Sequence, residues 1–348
     1  MHHCKRPVII VILIKIFLMN IKLNTRALHK ESYKMGIKNL NRYFIDNCSK
    51  RTMRVENLKS FSNKTIVIDT SIYMYKFISR NALLENMYLM ISILLSNKIT
   101  PIFVFDGKPP AEKKELLQQR SRVKKDAEAK YNELKNDLEI ANNEEKTHVL
   151  LEMESLKKKF IRIKDGDMRN VKSLISAFGL SYYTAKGEAD KLCVYLVKSG
   201  EAWACLSDDM DMFIYGCPRV LRHISLVKHT VILYDLDKML VELNLSLANF
   251  KTIAILSGTD YNINDKITLY DSIHLYDNFK EEKTNVSFND WLNDSNAISN
   301  DKLCELYAMF SVSDEDQITD YVDKSFTSKF DNTSIRNIMK TEGFIFVY

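Results

Sequence analysis

Two short apolar runs, each closed by an aspartate, stand out in the pattern of hydrophobic and polar positions. Residues 64–69 read Lys-Thr-Ile-Val-Ile-Asp, and residues 101–106 read Pro-Ile-Phe-Val-Phe-Asp. Runs of this length, rich in β-branched and aromatic residues, predict buried strands. Helical patterns lie between them, through Arg80 and from Leu83 to Leu95. The order strand, helix, strand predicts an open parallel sheet whose ligand site lies at its carboxyl edge.

A third unit, from Thr184 to Asp211, carries more acids than the first two. A helical pattern begins after Gly187 and stops at Gly200, and residues 202–206 then predict a short buried strand. Acids occupy the first turn of the helix and follow the strand: Glu188, Asp190, Asp208, Asp209 and Asp211. A single acid in such a place is commonly a helix cap or a solvated loop residue. Several together repel unless they share protons or bind cations, so the unit predicts a metal site.

The remaining pattern completes an α/β chain. It predicts a helix over 168–178, strands over 219–224 and 230–233, and helices over 235–243 and 247–256. We therefore expect a three-layer sandwich with a mostly parallel central sheet, a helical hairpin and a helical C-terminal region. The expected division is an extension over 1–34, a main domain over 35–262 that contains the hairpin at about 108–160, and a C-terminal region of unknown role over 263–348.

Positive charge is concentrated in the predicted hairpin. Residues 108–130 contain eight Lys or Arg and four acids, and Lys113, Arg120 and Lys124 share one helix face. A second run, residues 157–164, carries five positive charges and no acid. Charge runs are most often solvated faces, but these flank the acidic strand ends. They predict clamps for a polyanion that contact its phosphates without reading its sequence.

Composition narrows the class of protein. The 348 residues are 46% apolar and 27% charged, which indicates a globular protein. Residues 1–34 account for the formal net charge of +5, because they hold seven Lys or Arg and one Glu. The apolar run within them, Val8 to Met19, is shorter than the roughly 20 residues of a membrane span, and we expect no membrane association. The six cysteines form no Cys-x-x-Cys pair, which disfavours zinc or a disulfide framework.

Six motifs occur in an order that resembles a known family. They are Met35-Gly-Ile-Lys-Asn-Leu40, Ile68-Asp-Thr-Ser71, Val104-Phe-Asp-Gly-Lys-Pro-Pro110, Gly187-Glu-Ala-Asp190, Asp208-Asp-Met-Asp211 and Leu256-Ser-Gly-Thr-Asp-Tyr261. Together they resemble the flap endonuclease/XPG family of structure-specific 5′ nucleases over about residues 35–262. The compact chain is more similar to a flap endonuclease than to the larger XPG proteins. The resemblance implies a PIN-like fold and magnesium-dependent cleavage of DNA.

The resemblance also implies roles for individual residues. Asp69, Asp106, Glu188 and Asp190 match the acids of a first magnesium ion, and Asp209, Asp211 and Asp260 match those of a second. Two magnesium ions per subunit are therefore expected, with manganese as a substitute; oxygen ligands without His or Cys suit such ions. Lys113 and Arg120 match residues that contact the scissile phosphate. Tyr75 matches a tyrosine that stacks on a base, and Lys124 and Lys108 are expected to bind the DNA backbone.

Three departures separate the chain from the family pattern. Asp190 stands where a longer Glu is usual. Residues 261–267, Tyr-Asn-Ile-Asn-Asp-Lys-Ile, lack the glycines of the family's duplex-gripping turn, which bears on flap preference. The chain also has no Gln-x-x-Leu-x-x-Phe-Phe peptide near its end, so a sliding-clamp partner is not predicted.

The sequence thus predicts a magnesium-dependent endonuclease that cuts DNA with a 5′ flap or junction in replication, repair or recombination. Its expected location is the nucleus, that of the host if the chain is viral. A 5′–3′ exonuclease or an RNA-directed nuclease is the alternative within enzymes. A non-catalytic nucleic-acid-binding scaffold is the alternative of another class, although a pure binder has no use for seven repelling carboxylates beside a phosphate groove.

Overall fold

An eight-stranded sheet forms the centre of the protein. The structure, a computed structural model, describes residues 37–140, 143–262, 267–283, 285–294, 300–312, 321–325 and 329–346. The strands are β1 (Met53–Asn57), β2 (Thr65–Asp69), β3 (Thr100–Phe105), β4 (Tyr182–Ala185), β5 (Ala204–Leu206), β6 (Arg219–Ser225), β7 (Thr230–Asp235) and β8 (Tyr321–Ser325). They lie in the order β1-β7-β6-β5-β2-β3-β4-β8. The five strands from β6 to β4 are parallel, and β7, β1 and β8 join antiparallel.

Helices cover both faces of this sheet. Along the chain they are α1 (Leu40–Asn47), α2 (Thr70–Ile78), α3 (Leu83–Ser96), α4 (Lys114–Ile140), α5 (Asn143–Lys159), α6 (Asp165–Ala177), α7 (Ala189–Lys198), α8 (Asp211–Ile214), α9 (Leu236–Glu242), α10 (Leu247–Leu256), α11 (Leu269–Glu281), α12 (Phe288–Asp294), α13 (Asn300–Met309) and α14 (Asn332–Thr341).

Alternation along the strands divides the core into two clusters. On β2, Val67 packs with α1, α7 and α10 on one face, whereas Ile66 and Ile68 pack with α2, α3 and α6 on the other. Successive side chains of a strand point to opposite faces, so a continuous apolar run is what a sheet covered on both faces requires. The predicted three-layer sandwich with a mostly parallel sheet is confirmed.

Three strands were absent from the sequence prediction: β1, β4 and β8. Each lies towards an edge of the sheet, and β1 and β8 join it antiparallel. The most C-terminal of them, β8, pairs with β4, and the helix α14 packs on α6. Phe344 and Phe346 then contact the ring of Tyr88 on α3. Part of the region 263–348 is therefore built into the main sheet.

Some predicted features lie outside the described residues. These are the extension over 1–34, the Met35-Gly36 pair at its boundary, and residues 263–266 within the turn that lacks the family's glycines. Within the described ranges, no single helix has the length and hydropathy to cross a membrane. The α9–α10 pair, bent by 86°, passes the same test when its two helices are taken together, by length and composition alone.

Candidate metal centre

Neighbouring strands of the sheet deliver the first acids to one edge. Asp69 is the last residue of β2, and Asp106 follows the adjacent parallel strand β3 directly. On the other side of β2, the strand β5 leads through Ser207 to Asp209. Ser207 donates a hydrogen bond of 2.8 Å from Oγ to Asp69 Oδ2, and Asp69 is only 5% exposed. The carboxyl ends of β2, β3 and β5 thus meet as predicted.

A close backbone contact brings Glu188 and Asp190 to the same edge. The amide of Gly107 donates to the carbonyl of Gly187 at 2.7 Å, and Lys108 N donates to Lys186 O at 3.0 Å. A Cβ on Gly107 would lie 1.9 Å from the carbonyl oxygen of Ala185, so only glycine fits there. The contact fixes the segment after β3 against the start of α7.

The start of α7 is capped from another strand. Glu188 occupies the N-cap position and Asp190 the first turn, yet neither caps the helix with its own side chain. Instead Asp106 Oδ1 accepts a 2.8 Å hydrogen bond from the amide of Ala189, the first residue of α7. Asp106 thus caps the helix α7, and the side chains of Glu188 and Asp190 do not.

The second group of acids surrounds the start of α8. Asp209 Oδ1 accepts a hydrogen bond from the amide of Asp211 at 2.9 Å. Asp211 is 2% exposed, and its Oδ1 has no hydrogen-bond partner. Asp260 follows α10 and reaches the cluster through its ion pairs. We refer to all seven carboxylates as the acid cluster: Asp69, Asp106, Glu188, Asp190, Asp209, Asp211 and Asp260.

Burial and mutual repulsion raise pKa values across the acid cluster. For each of five members, burial is the largest cause of a raised pKa, and neighbouring carboxylates add to it: Asp69, Asp106, Asp190, Asp209 and Asp211. Both effects disfavour the ionised form, and a bound cation would oppose both. The cluster is therefore costly to keep without a cation.

Two basic residues of the hairpin's base contact the acid cluster directly. Lys113 is 5% exposed, and its Nζ lies 2.8 Å from Glu188 Oε1 and 3.6 Å from Asp260 Oδ2. Burial lowers the pKa of Lys113, but Glu188 and its other neighbours outweigh burial and leave that pKa raised. Arg120 Nη2 donates to both carboxylate oxygens of Asp260, at 3.0 and 2.9 Å. The two predicted phosphate-contacting residues are thus brought to the acids.

The other predicted substrate contacts lie beside this centre. Tyr75, on α2, is 36% exposed, and Lys124 Nζ lies 5.3 Å from the centroid of its ring. Lys124 also donates to the carbonyl of Ile161 at 3.0 Å. Lys108 is exposed and is held by its backbone contact with Lys186. Tyr75 and Lys124 therefore form one surface, and Lys108 lies at the loop that carries Asp106.

Sequence reasoning missed two tyrosines that support the acid cluster. Tyr261 donates from its hydroxyl to Glu188 Oε2 at 2.7 Å, and its ring lies 4.5 Å from Lys113 Nζ. Its hydroxyl is also 3.2 Å from that of Tyr215. Tyr261 follows Asp260 directly in the Leu-Ser-Gly-Thr-Asp-Tyr motif, which was the available signal. Tyr215 gave none, because it reads as an apolar core residue.

The chemistry of the residues fits magnesium. All seven groups are oxygen donors, as hard divalent cations require, and the buried Asp211 Oδ1 is an unpaired acceptor. In the described part of the chain, no three ligand groups are already placed to hold one ion. Glu188 and Asp260 are engaged by Lys113 and Arg120. Metal binding would therefore require these two carboxylates to exchange partners.

Comparison with known proteins finds relatives of one family. The model of the XPG N-terminal domain matches residues 35–127, and that of the XPG I-region matches residues 179–260. Flap endonuclease 1 of Methanococcus aeolicus is 32% identical over 236 residues, which cover 63% of this chain and 68% of that protein. Flap endonuclease 1 of Glycine max is 33% identical over 246 residues, covering 65% of this chain and 62% of that protein.

Solved structures extend the likeness of fold beyond the matched motifs. The catalytic core of Rad2 in complex with a DNA substrate aligns with a TM-score of 0.60 and 23% identity, over 89% of this chain and 95% of that one. Flap endonuclease-1 from Methanococcus jannaschii aligns with a TM-score of 0.57 and 26% identity, over 83% and 90%. The class is thus that of PIN-like nucleases. More narrowly, this chain belongs to the flap endonuclease/XPG family of structure-specific 5′ nucleases, which hydrolyse phosphodiesters.

Proposed function

We propose that this protein is a magnesium-dependent 5′ endonuclease that hydrolyses DNA at flaps or junctions during replication, repair or recombination, in the nucleus. The observation that carries the proposal is the acid cluster, in which buried carboxylates with raised pKa values lie beneath two basic residues of the hairpin. The relatives are named flap endonucleases, and the structural neighbours include complexes with DNA substrates and a complex with product DNA and Mg²⁺. A sliding-clamp partner is not part of the proposal.

The acid cluster would hold two magnesium ions. Asp69, Asp106, Glu188 and Asp190 are the proposed ligands of one ion, and Asp209, Asp211 and Asp260 those of the other. Bound in pairs, such ions supply a water activated for attack on phosphorus and stabilise the oxygen that leaves. Manganese has the same preference for oxygen ligands and is expected to substitute.

Lys113 and Arg120 would bind the scissile phosphate in two different ways. The side chain of Arg120 is 40% exposed, so its guanidinium can leave Asp260 and reach a phosphate. The side chain of Lys113 is 6% exposed and lies over the ring of Tyr261, so it is held in place. A positive charge fixed beside the reacting phosphate offsets the charge that develops in the transition state.

Tyr75, Lys124 and Lys108 would position the nucleic acid around the cut. The exposed part of the Tyr75 ring can stack on a base, as aromatic side chains do in binding single strands. Lys124 and Lys108 would contact phosphates, which sets the register of the strand without reading its sequence.

A substrate panel tests the proposal. We would incubate the protein with end-labelled 5′-flap, nicked, blunt duplex and single-stranded DNA, with magnesium and with a chelator. Magnesium-dependent cutting at the flap junction is the expected result. Stepwise loss of nucleotides from free 5′ ends would favour the exonuclease alternative, and preferential cutting of matched RNA substrates would favour an RNA-directed nuclease. Binding of the panel without any cleavage would contradict the proposal and favour a scaffold.

Neighbouring lysines provide a matched control for the phosphate contact. Lys113 is buried in the centre, whereas Lys114 is exposed one residue further on. Lys113→Met should lower the single-turnover cutting rate by about 10²–10³-fold, the usual effect of removing one group that stabilises transition-state charge. Lys114→Met should leave that rate nearly unchanged. Equal rates for Lys113→Met and the unsubstituted protein would remove Lys113 from the catalytic residues.

A further inference from the structure

The strand β1 forms one edge of the sheet and, among the described strands, pairs only with β7. We propose that this edge is an interface between two copies of the chain. In this dimer, β1 of a second copy pairs antiparallel with β1 of the first, about a twofold axis at Val55, and the two eight-stranded sheets become continuous. The interface goes beyond the function proposed above and does not depend on it.

The hydrogen bonds between β1 and β7 show which backbone groups of β1 face outward. Asp235 N donates to Thr52 O at 2.9 Å, and Leu58 N donates to His229 O at 2.8 Å. These two contacts bracket an unbroken antiparallel register. Hydrogen-bonded and non-hydrogen-bonded pairs alternate along such a register, so every second residue of β1 directs its N–H and C=O away from β7. These outward residues are Met53, Val55 and Asn57.

The outward edge of β1 is open to solvent at its middle. Val55 is 68% exposed, and Asn57 is exposed as well. In the described part of the chain, no hydrogen bond reaches the backbone N–H or C=O of Val55. A strand edge with free donors and acceptors is a template on which another strand can pair.

The charges beside Val55 decide which strand fits this template. Arg54 and Glu56 lie on one face of β1, with Nε and Oε1 2.6 Å apart. In an antiparallel pair centred on Val55, Arg54 of each copy lies directly opposite Glu56 of the other. Edge charges usually prevent pairing, because they oppose an incoming strand. Here each charge meets its opposite, so the edge is complementary to a second copy of itself.

The same residues select one register. Centres at Arg54 or Glu56 place like charges opposite each other, and the backbone groups of these two residues already face β7. Centres at Met53 or Asn57 leave part of each strand unpaired. Only the centre at Val55 pairs all five residues of each strand and joins the two Val55 residues by a pair of N–H···O bonds.

The interface leaves the acid cluster accessible. Three strands, β7, β6 and β5, lie between β1 and β2, which carries Asp69. Pairing of five-residue strands makes a small interface, and we expect a weak dimer with a dissociation constant of about 10–100 µM. The dimer therefore forms reversibly as the protein concentration rises.

Reversal of the charges tests the proposal on the full chain. Arg54→Glu places acids opposite acids, and Glu56→Arg places basic residues opposite basic residues. Each variant alone should stay monomeric in sedimentation velocity experiments up to about 200 µM. An equimolar mixture of the two should form a one-to-one dimer, because every charge then meets its opposite. The double variant Arg54→Glu/Glu56→Arg should dimerise like the unsubstituted protein.

Lys340→Glu is the matched control for Arg54→Glu. It reverses one exposed charge on α14, which packs near the opposite edge of the sheet, and should leave the dimer intact. An unsubstituted protein that stays monomeric over the same concentrations would overturn the proposal. Dimers that survive both single reversals would also overturn it, because the interface would then lie elsewhere. Thermal denaturation of each variant verifies that it is folded.

Amide hydrogen exchange distinguishes a second copy from another segment of the same chain. The N–H of Val55 should exchange freely in dilute protein and become protected as the dimer forms. In the Arg54→Glu variant it should exchange freely at every concentration. Protection of Val55 that does not change with protein concentration would mean that the chain covers its own edge, and the proposal would be wrong.

Discussion

Asp208 and Asp209 are neighbours in the chain and belong to two opposite environments. Asp208 Oδ2 lies 3.0 Å from Lys76 Nζ, and its Oδ1 accepts the amide of His223 at 2.7 Å. Burial raises the pKa of Asp208, but Lys76 and His223 outweigh burial and hold that pKa below its ordinary value. The pKa of Asp209 is raised by burial and by Asp260. Two consecutive residues thus have pKa values shifted in opposite directions, because one is paired with cations and the other lies among carboxylates.

The surroundings of Asp208 form a polar network in which Arg222 Nε is the one buried atom without a hydrogen-bond partner among the described residues. Arg222 is 5% exposed and donates to the carbonyl of Asp208 at 2.7 Å and to Asn41 Oδ1 at 2.8 Å. Tyr234 donates to the same Asn41 oxygen at 2.9 Å. We call this set the Asp208 network: Asn41, Lys76, Asp208, Arg222, His223 and Tyr234. It holds the loop between β5 and α8 through Asp208.

The difference teaches how the protein uses buried charge. A network of hydrogen-bonded charges rigidifies the structure around it, whereas a group of buried carboxylates that repel one another lowers stability. In this protein the two are adjacent, so the network can hold in position the acids that repel one another. We infer that neutralising an acid of the cluster lowers activity and raises stability, whereas breaking the Asp208 network lowers stability.

The largest expected effect comes from neutralising Asp209. Asp209→Asn keeps an oxygen that can accept the amide of Asp211, but removes one repelling charge. Cutting should fall to background, and the metal-free protein should gain about 1 kcal/mol in free energy of unfolding. Cleavage assays and thermal denaturation with a chelator measure the two effects.

The control for this variant is Glu201→Gln, which neutralises an exposed acid away from the cluster. It should change neither quantity measurably. If Asp209→Asn lowers stability as much as activity, the contrast between the two environments does not hold.

A substitution in the Asp208 network should lower the free energy of unfolding. Arg222→Met leaves the carbonyl of Asp208 without its donor, which should destabilise the protein by about 1–3 kcal/mol. Activity should fall only as far as the loop between β5 and α8 loses its position. Arg222→Lys should recover part of the stability. Denaturation midpoints without metal provide the measurement, and an unchanged midpoint for Arg222→Met would remove the network from the account of stability.

A smaller effect is expected at Tyr261, which contacts Glu188 and Lys113 at the edge of the acid cluster. Tyr261→Phe deletes the hydroxyl that donates to Glu188 but keeps the ring beneath Lys113. Groups that orient a metal ligand in this way typically contribute about 10-fold or more to metal affinity. The magnesium concentration for half-maximal cutting should rise accordingly, with little change at saturation.

Calorimetric titration with calcium, which takes the same kind of ligand, reads the effect of Tyr261→Phe without catalysis. Affinity should weaken in parallel with the magnesium requirement. A lower rate at saturating magnesium combined with unchanged calcium affinity would assign Tyr261 to the reaction itself.

The last effect concerns the stability contributed by a buried lysine outside both regions, and no change of activity is expected from it. Lys251, on α10, donates to the carbonyl of Phe310 at 3.1 Å, and burial lowers its pKa to about 8. Because this folded pKa lies below the unfolded one, the free energy of unfolding should rise as pH increases from about 8 to 10.5, by up to about 2 kcal/mol.

The comparison protein for this pH dependence is Lys251→Met, which cannot titrate at that position. The unsubstituted protein should gain stability relative to Lys251→Met as pH rises through that range. A difference in unfolding free energy that stays constant with pH would mean that the pKa of Lys251 is the same in the folded and unfolded states.

The sequence predicted the sheet centre and the acids for one physical reason. Buried parallel strands are continuous apolar runs, so β2 and β3 could be recognised in the sequence. An acid ends β2, and another directly follows β3. Parallel strands end at a common edge, and that rule alone predicts that Asp69 and Asp106 lie together. Gly187 marked the start of a helix, and that placed Glu188 and Asp190 in its first turn, at the same edge of the sheet.

The parts that could not be predicted depend on distant pairings. β8 becomes a strand only through β4, far away in the chain, and its own residues carry no clear alternation. Arg222 reads as one charge in an apolar strand until Asn41 and Asp208 surround it. The engagement of Arg120 by Asp260 likewise requires the base of the hairpin to lie over the end of α10.

The pairing of β8 with β4 has a consequence for the order in which the chain is made. The free edge of β4 is synthesised early, and its partner strand emerges only after the residues between Ala185 and Tyr321 have been added. At about 5–20 residues per second that interval is roughly 7–27 s. During it, the edge of β4 presents unpaired amides and carbonyls, and the ring of Tyr88 on α3 lacks its contacts with Phe344 and Phe346. Cotranslational binding by a chaperone would protect this edge, and release would coincide with arrival of the last strand.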